Sequence, residues 1–245
     1  MKKNLLIGTM ALLAGSLLAA DSSPKDDIIA AAKKLADGGN YSWKTTMDLG
    51  PNSPFTPGPT EGKMDKDGLT WLSSSFQDNT MEGLMKGTNH VVVKTEEGWK
   101  TAAELAGDGG GGGGFNMNML TARRLQNLKA PAVDIQELVG KVKELKKDGD
   151  VYSGDLTEAG AQSLLTSLFG GRRGGQAQPP AKDAKGTVKF WVKDGVVTKY
   201  QSKATGKTTN FQGEEQDSDR TTTVEIKDVG TTKISAPDEA KKKLS

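Results

Sequence analysis

Between Gly186 and Tyr200 the chain reads Gly-Thr-Val-Lys-Phe-Trp-Val-Lys-Asp-Gly-Val-Val-Thr-Lys-Tyr, a hairpin with apolar side chains on both of its faces. With Asp194-Gly195 as a two-residue turn, Val192 pairs with Val197. Val188, Phe190 and Val192 then share one face, while Trp191 lies near Val196 and Tyr200 on the other. A sheet whose two sides both meet something apolar, in a chain with helical segments between two strand-rich halves, implies a strongly curved sheet wrapped around a helical element. An ordinary sandwich has no place for those helices.

The rest of the chain divides by pattern. Ser23 caps a first helix with Pro24 at its first position, Ile28, Ala31, Ala32 and Leu35 form its apolar stripe, and Gly38-Gly39 stop it. From 41 to 101 short polar-apolar segments alternate with the turn signals Asp67-Gly68, Gly87-Thr88-Asn89 and Glu96-Glu97-Gly98, which predicts an antiparallel meander. Residues 107–114 are seven glycines and one aspartate, a linker with nothing to pack. Helix-spaced leucines follow at 117–128, 133–139 and 157–169, the last behind a Thr157 cap, with a short strand pair around Leu145 and 151–156. A second loop, 170–184, holds Gly-Gly-Arg-Arg-Gly-Gly and Pro179-Pro180, after which strands return from Lys185 to about Ser235.

Residues 1–20 read as a cleavable secretory signal: Lys2 and Lys3, an apolar run from Leu5 to Leu18, and small residues before Asp21. The expected mature chain, 21–245, is of a size for one domain, exported to the periplasm or beyond. There is no cysteine among the 245 residues, so neither a disulfide framework nor a lipid anchor on a terminal cysteine is expected. The formal charge of +2 falls to zero when Lys2 and Lys3 leave, which removes the basic field that a nucleic-acid partner would need.

The order of elements resembles the superfamily of bacterial periplasmic carriers typified by the outer-membrane lipoprotein carrier (LolA-like) and by mycobacterial glycolipid-carrying lipoproteins. Three stretches carry the resemblance: Gly98-Trp99-Lys100, the hairpin 186–200, and Val-Gly-Thr-Thr-Lys-Ile-Ser-Ala-Pro at 229–237. It implies an open half-barrel whose concave side is closed by helices over an apolar cavity for acyl chains. The chain departs from that group in lacking the anchor cysteine of the mycobacterial members and in carrying the glycine run and the Arg-Gly loop.

Residues that would carry chemistry find bland explanations. His90, the single histidine, stands in a turn-to-strand segment with no Gly-x-Ser-x-Gly elbow in the chain. Asp65 and Asp67, and Glu214, Glu215, Asp217 and Asp219, sit among lysines or in polar loops, and an acid-base pair needs burial to separate its two pKa values. Gln201-Ser-Lys-Ala-Thr-Gly-Lys-Thr208 ends like a phosphate loop but lacks its first glycine and its helix, and reads as a strand-end loop. Arg172-Arg173 reads as a solvated loop, with anionic lipid headgroups as the functional alternative.

The helix after the glycine run is different. Met117, Leu120, Leu125 and Leu128 fall in one arc with Arg124 inside it, so a cation either snorkels to water or meets a headgroup at a cavity mouth.

The reading is an exported α+β protein with a strongly curved antiparallel sheet, an open half-barrel of about ten strands, one N-terminal helix and two or three inserted helices as a lid. It is expected to be a non-enzymatic, cofactor-free monomer that binds or carries a lipid or a protein's acyl chain, with transient contact to a membrane surface. Cavity candidates are Met64, Trp71, Phe190 and Val192 from strands and Phe115, Met117, Leu120 and Arg124 from the lid. The alternative is a structural or protein-interaction module whose cavity is filled by its own side chains.

Overall fold

The fold is described from a computed structural model, over residues 22–51, 53, 56–76, 79–87, 90–108, 117–166, 172–173, 176–177, 179–209 and 213–245. A first helix, α1 (Pro24–Asp37), leads into the meander β1 (Tyr41–Asp48), β2 (Thr60–Met64), β3 (Leu69–Phe76), β4 (Asn79–Lys86), β5 (His90–Thr95) and β6 (Gly98–Thr101). Then come α2 (Ala102–Asp108), α3 (Met117–Gln126), α4 (Pro131–Gly140), β7 (Lys146–Asp148), β8 (Val151–Asp155) and α5 (Glu158–Thr166). The small strands β9 (Arg172–Arg173) and β10 (Gln176–Ala177) precede β11 (Lys182–Lys193), β12 (Val196–Thr209), β13 (Glu215–Lys227) and α6 (Asp238–Lys243).

Eleven strands form one antiparallel sheet in the order β6-β5-β4-β3-β2-β1-β13-β12-β11-β8-β7, an open half-barrel whose edges do not meet. At its centre β1 pairs with β13, so the two strand-rich halves of the chain join there. The capping box at Ser23 and Asp26 starts α1, and the four residues of its expected stripe are all buried. Lys34 Nζ donates to the Asp194 carbonyl at 2.7 Å, and Tyr152 Oη donates to Asp27 at 2.9 Å, which ties α1 to the β11–β12 turn and to β8.

Two close approaches let helix and indole lie on the sheet. At Gly62 a Cβ would stand 2.1 Å from the Trp43 ring, and at Gly83 it would stand 2.2 Å from Leu125 Cδ1, so these glycines make room for Trp43 and α3.

Both faces of the sheet carry apolar cover, but the outer cover lies at the β3–β6 end and not over the β11–β12 hairpin, where the sequence pattern predicts it. Helices α1, α3, α4 and α5 pack on one face, around Tyr41, Trp43, Phe190, Tyr200 and Ile226. On the opposite face, at the β3–β6 end, Ile234, Ala236, Ala240 and Leu244 cover Leu84, Val92 and Trp99. Glu239 accepts a 3.2 Å hydrogen bond from the Trp99 amide, and Lys243 pairs with Glu104 of α2 at 2.8 Å.

Several expectations are corrected. Tyr200 lies opposite Phe190, on the same face, because Val192 pairs with Val197 but Trp191 pairs with Lys199. Thr198 is thus an extra residue on β12, a bulge that turns the following side chains over. Residues 201–208 belong to β12 rather than to a strand-end loop. The glycine linker starts later than expected, since α2 runs to Asp108, and residues 109–116 lie outside those described. The loop 170–184 contains the β9–β10 pair and the first residues of β11. Segment 229–237 forms no strand: the Thr231 and Thr232 amides bond back to the Asp228 carbonyl, and the chain crosses the outer face instead.

Candidate functional site

Cross-strand register carries one row of side chains over the helix-facing side of the sheet, from Phe190 through Tyr200, Val224, Thr45 and Thr60 to Ser74. Its character changes along the way. Phe190, Tyr200 and Val224 are 0%, 3% and 3% exposed, within the core that α1 and α4 share. Beyond Val224, Thr45 and Thr60 are half-buried, as are Met47 and Thr222, which face each other in the next row. On one side of this strip α5 sits over β11–β13, with Leu165 against Gly206; on the other, α3 sits over β4 and β5, with Leu125 on Gly83. Thr121 Oγ1 donates to Met81 Sδ at 3.1 Å and fixes the α3 side.

The strip ends at Arg220, whose Nη1 donates to the Leu164 carbonyl of α5 at 2.5 Å. Burial pulls the Arg220 pKa down to about 10, with the negative charge of Asp134 acting against that fall. Asp134, on α4, accepts a 2.8 Å hydrogen bond from Tyr200 Oη; burial raises its pKa and the Tyr200 bond works in the other direction. Burial likewise pushes Tyr41 up to about 12. The helix side of the sheet is therefore apolar and filled at one end, and half-open, hydroxyl-bearing and cationic at the other.

The candidate residues do not come together in one place. Met64 and Val192 are half-buried against the core that contains Phe190. Trp71 is on the opposite face, in register with Lys63 and Leu84, and Lys63 Nζ stands 5.1 Å from its ring centroid. The meander alternation thus separates Trp71 from Met64, and Trp71 packs toward the C-terminal segment instead. Met117 and Leu120 belong to α3, and Phe115 lies outside the described residues. Arg124 is exposed, while Thr121, Ala122 and Leu125 make the buried face of α3.

His90 is exposed on β5. Asp65 organises a turn, its Oδ1 accepting from the Asp67 and Leu69 amides at 3.0 Å each. Glu215 pairs with Lys182 and Asp219 with Lys203, which accounts for them as solvated partners. Among the described residues no group of three or more histidine, aspartate or glutamate side chains is placed to hold a metal ion. A cleft of about 380 Å³ opens where Gly50 and Pro51 pass the far ends of β11–β13; Asp183, Lys185, Lys207 and Asp217 line it, and none of the candidate residues does.

The residue that sequence reasoning missed is Arg220. It stands in a run, Glu214 to Arg220, whose charges look like a polar loop until β13 is known to begin at Glu215.

No family model matches this chain, and no curated protein matches it. Two solved structures are similar to it over most of their length. One is the Mycobacterium tuberculosis lipoprotein LppX, at 11% identity over 82% of this chain and 93% of that one, with a TM-score of 0.39. The other is LprF from Mycobacterium bovis, at 12% identity over 89% of this chain and 99% of that one, with a TM-score of 0.42. At such identities no residue role passes from them to this chain.

Proposed function

We propose that this protein is a non-catalytic binder or carrier of an acyl-chain lipid in the cell envelope, made as a precursor whose residues 1–20 are a cleaved signal and whose residues 21–245 form one monomeric domain. The observation that supports this reading is the half-buried strip of Thr45, Met47, Thr60 and Thr222 between α3 and α5, continuous with a fully buried apolar core. Such a strip offers an extended chain a surface already shielded on two sides. The half-buried Met47, Met64, Met85 and Met119 suit an irregular hydrocarbon, because the unbranched thioether adapts its shape. Each methylene removed from water contributes about 0.8 kcal/mol, so a sixteen-carbon chain supplies roughly 10 kcal/mol before ordering costs, enough to hold a lipid by solvent exclusion alone.

A second reading, a structural or protein-interaction module, draws on the other end of the same face, where Ile28, Leu35, Tyr41 and Phe190 already fill the space between sheet and helices. Native mass spectrometry of the protein purified from its own envelope, with titration of a fluorescent acyl probe, separates the two. A carrier retains lipid mass or binds the probe saturably. A stably folded protein that does neither is a structural module, and the carrier reading fails.

Among the described residues no helix is long and apolar enough to cross a membrane.

A further inference from the structure

We infer that the C-terminal segment, residues 231–245, exchanges between two copies of this chain, so that the outer face of β3–β6 is a docking surface for the same segment of a second molecule. This goes beyond the carrier reading and does not depend on it.

Strand β6 is an edge of the sheet, bonded to β5 alone, and antiparallel alternation turns the amides of Trp99 and Thr101 away from β5. Neither amide meets a strand. The Trp99 amide donates to Glu239 Oε1 at 3.2 Å, and the Thr101 amide donates to Glu104 Oε2 at 2.6 Å. Lys243 Nζ in turn donates to both oxygens of Glu104, at 2.8 and 3.0 Å. Beside this edge Ala236, Ala240 and Leu244 close over Leu84, Val92 and Trp99. One segment therefore plugs a strand edge and covers an apolar patch, two surfaces that need an occupant in water.

The hold of this segment on its own chain is light, and its hinge is strained. Its apolar contact comes from two alanines, one leucine and the half-buried Ile234. Strand β13 ends at Lys227, and the chain then reverses through Asp228 and Gly230, at φ 54° and 83°. Both are left-handed, a conformation that glycine accepts freely and that strains an aspartate. The turn is locked by Asn40, whose carbonyl accepts from the Gly230 amide at 2.9 Å and whose Nδ2 donates to the Thr232 carbonyl at 2.8 Å; its buried Oδ1 has no partner. A second copy offers the identical surface. Exchange thus keeps the contacts of residues 234–244 and gives up only the turn, which relaxes at Asp228 and, extended over 228–232, reaches roughly 16 Å. Mass action makes the closed monomer the dilute form and the exchanged dimer the concentrated one.

The test uses the full chain, refolded at high protein concentration and weighed by native mass spectrometry. The wild type is expected to yield a dimer that survives dilution. Deleting Val229 and Gly230, so that the turn cannot form, should make that dimer the main species. Two charge reversals identify the contact. Glu104→Lys and Lys243→Glu each set like charges against one another, both within one chain and in its own exchanged dimer. Refolded together, the two variants regain both opposite-charge pairs only in the exchanged heterodimer, where each segment lies on the other chain. The heterodimer should then make up about three-quarters or more of all dimers, against about one half for random pairing. This mixing needs no hinge deletion and stands if the deleted chain fails to fold. A wild type that stays monomeric through concentrated refolding, or a heterodimer at about one half, overturns the inference. Neither result bears on lipid binding, so the carrier reading stands or falls separately.

Discussion

Tyr200 Oη donates a 2.8 Å hydrogen bond to the Asp134 carboxylate, joining the middle of β12 to α4 through the core. The pair sets how stability responds to acid. Burial raises the Asp134 pKa above its ordinary 3.8, outweighing the Tyr200 bond and the smaller effects of Lys141 and Lys129, while Glu137 adds to the rise. A carboxyl whose folded pKa exceeds its unfolded one adds stability below the ordinary value, and that contribution is lost as pH rises through the folded pKa. Asp134→Asn removes the charge and keeps an acceptor for Tyr200, so it should melt above wild type at neutral pH, with the advantage gone below about pH 4. Thermal melts across that range check this; a lower melting point for the variant at neutral pH would refute it.

Removing the other partner should act in the opposite sense. Tyr200→Phe leaves a buried carboxylate without its donor and should cost about 1–3 kcal/mol at neutral pH, measured by urea unfolding. The cost should shrink in acid, where Asp134 is neutral.

Gly62 and Gly83 meet different neighbours, and alanine should tell them apart. At Gly62 the added methyl would meet the rigid Trp43 ring, and the expected loss is about 1–3 kcal/mol; at Gly83 it would meet the end of a flexible Leu125 side chain, which can rotate away at smaller cost. Equal losses at the two positions in chemical denaturation would show that Leu125 is as fixed as the indole.

The C-terminal segment should behave as a detachable cover. A chain ending at Gly230 loses Ala236, Ala240 and Leu244 and uncovers Leu84, Val92 and Trp99 on the outer face. It should bind a hydrophobic dye and self-associate, as large exposed apolar patches do. A truncated protein that stays monodisperse and dye-free would mean that the outer face needs no cover.

N-terminal sequencing of the protein isolated from its source is expected to begin at or near Asp21. An intact Met1 in the isolated protein would remove the envelope assignment.

What was legible in the sequence is what neighbours along the chain decide. The α1 cap and stripe, the Asp67-Gly68 turn, the Thr157 cap and the Asp194-Gly195 turn all appear where their residues predict. Helix α2 was missed although its signal is local: Thr101 and Glu104 bond each other's amides as a capping box, a pattern readable from their spacing. The face of Tyr200 was not legible, because a bulge at Thr198 belongs to the pairing of two strands. The fate of 229–237 was hidden for a similar reason. Both neighbours of β13 in the sheet are already β1 and β12, so no strand edge remains beside it for the chain to join. Arg220 needed that same knowledge, since only the register of β13 shows which of its charges turns inward.

The pairing of β1 with β13 also dictates when this molecule can be finished. Ser42 Oγ bonds the Asp228 carboxylate at 2.7 Å across 186 residues of sequence, and the central ladder lies beside that contact. A ribosome must release nearly the whole chain before its earliest strand meets its mate. Until then the growing polypeptide holds a meander with one raw edge at β1, and that edge is closed by the last strand to emerge. Such a connectivity makes for slow, late assembly. It leaves any chain broken off before β13 with an unsatisfied strand on which other copies can add.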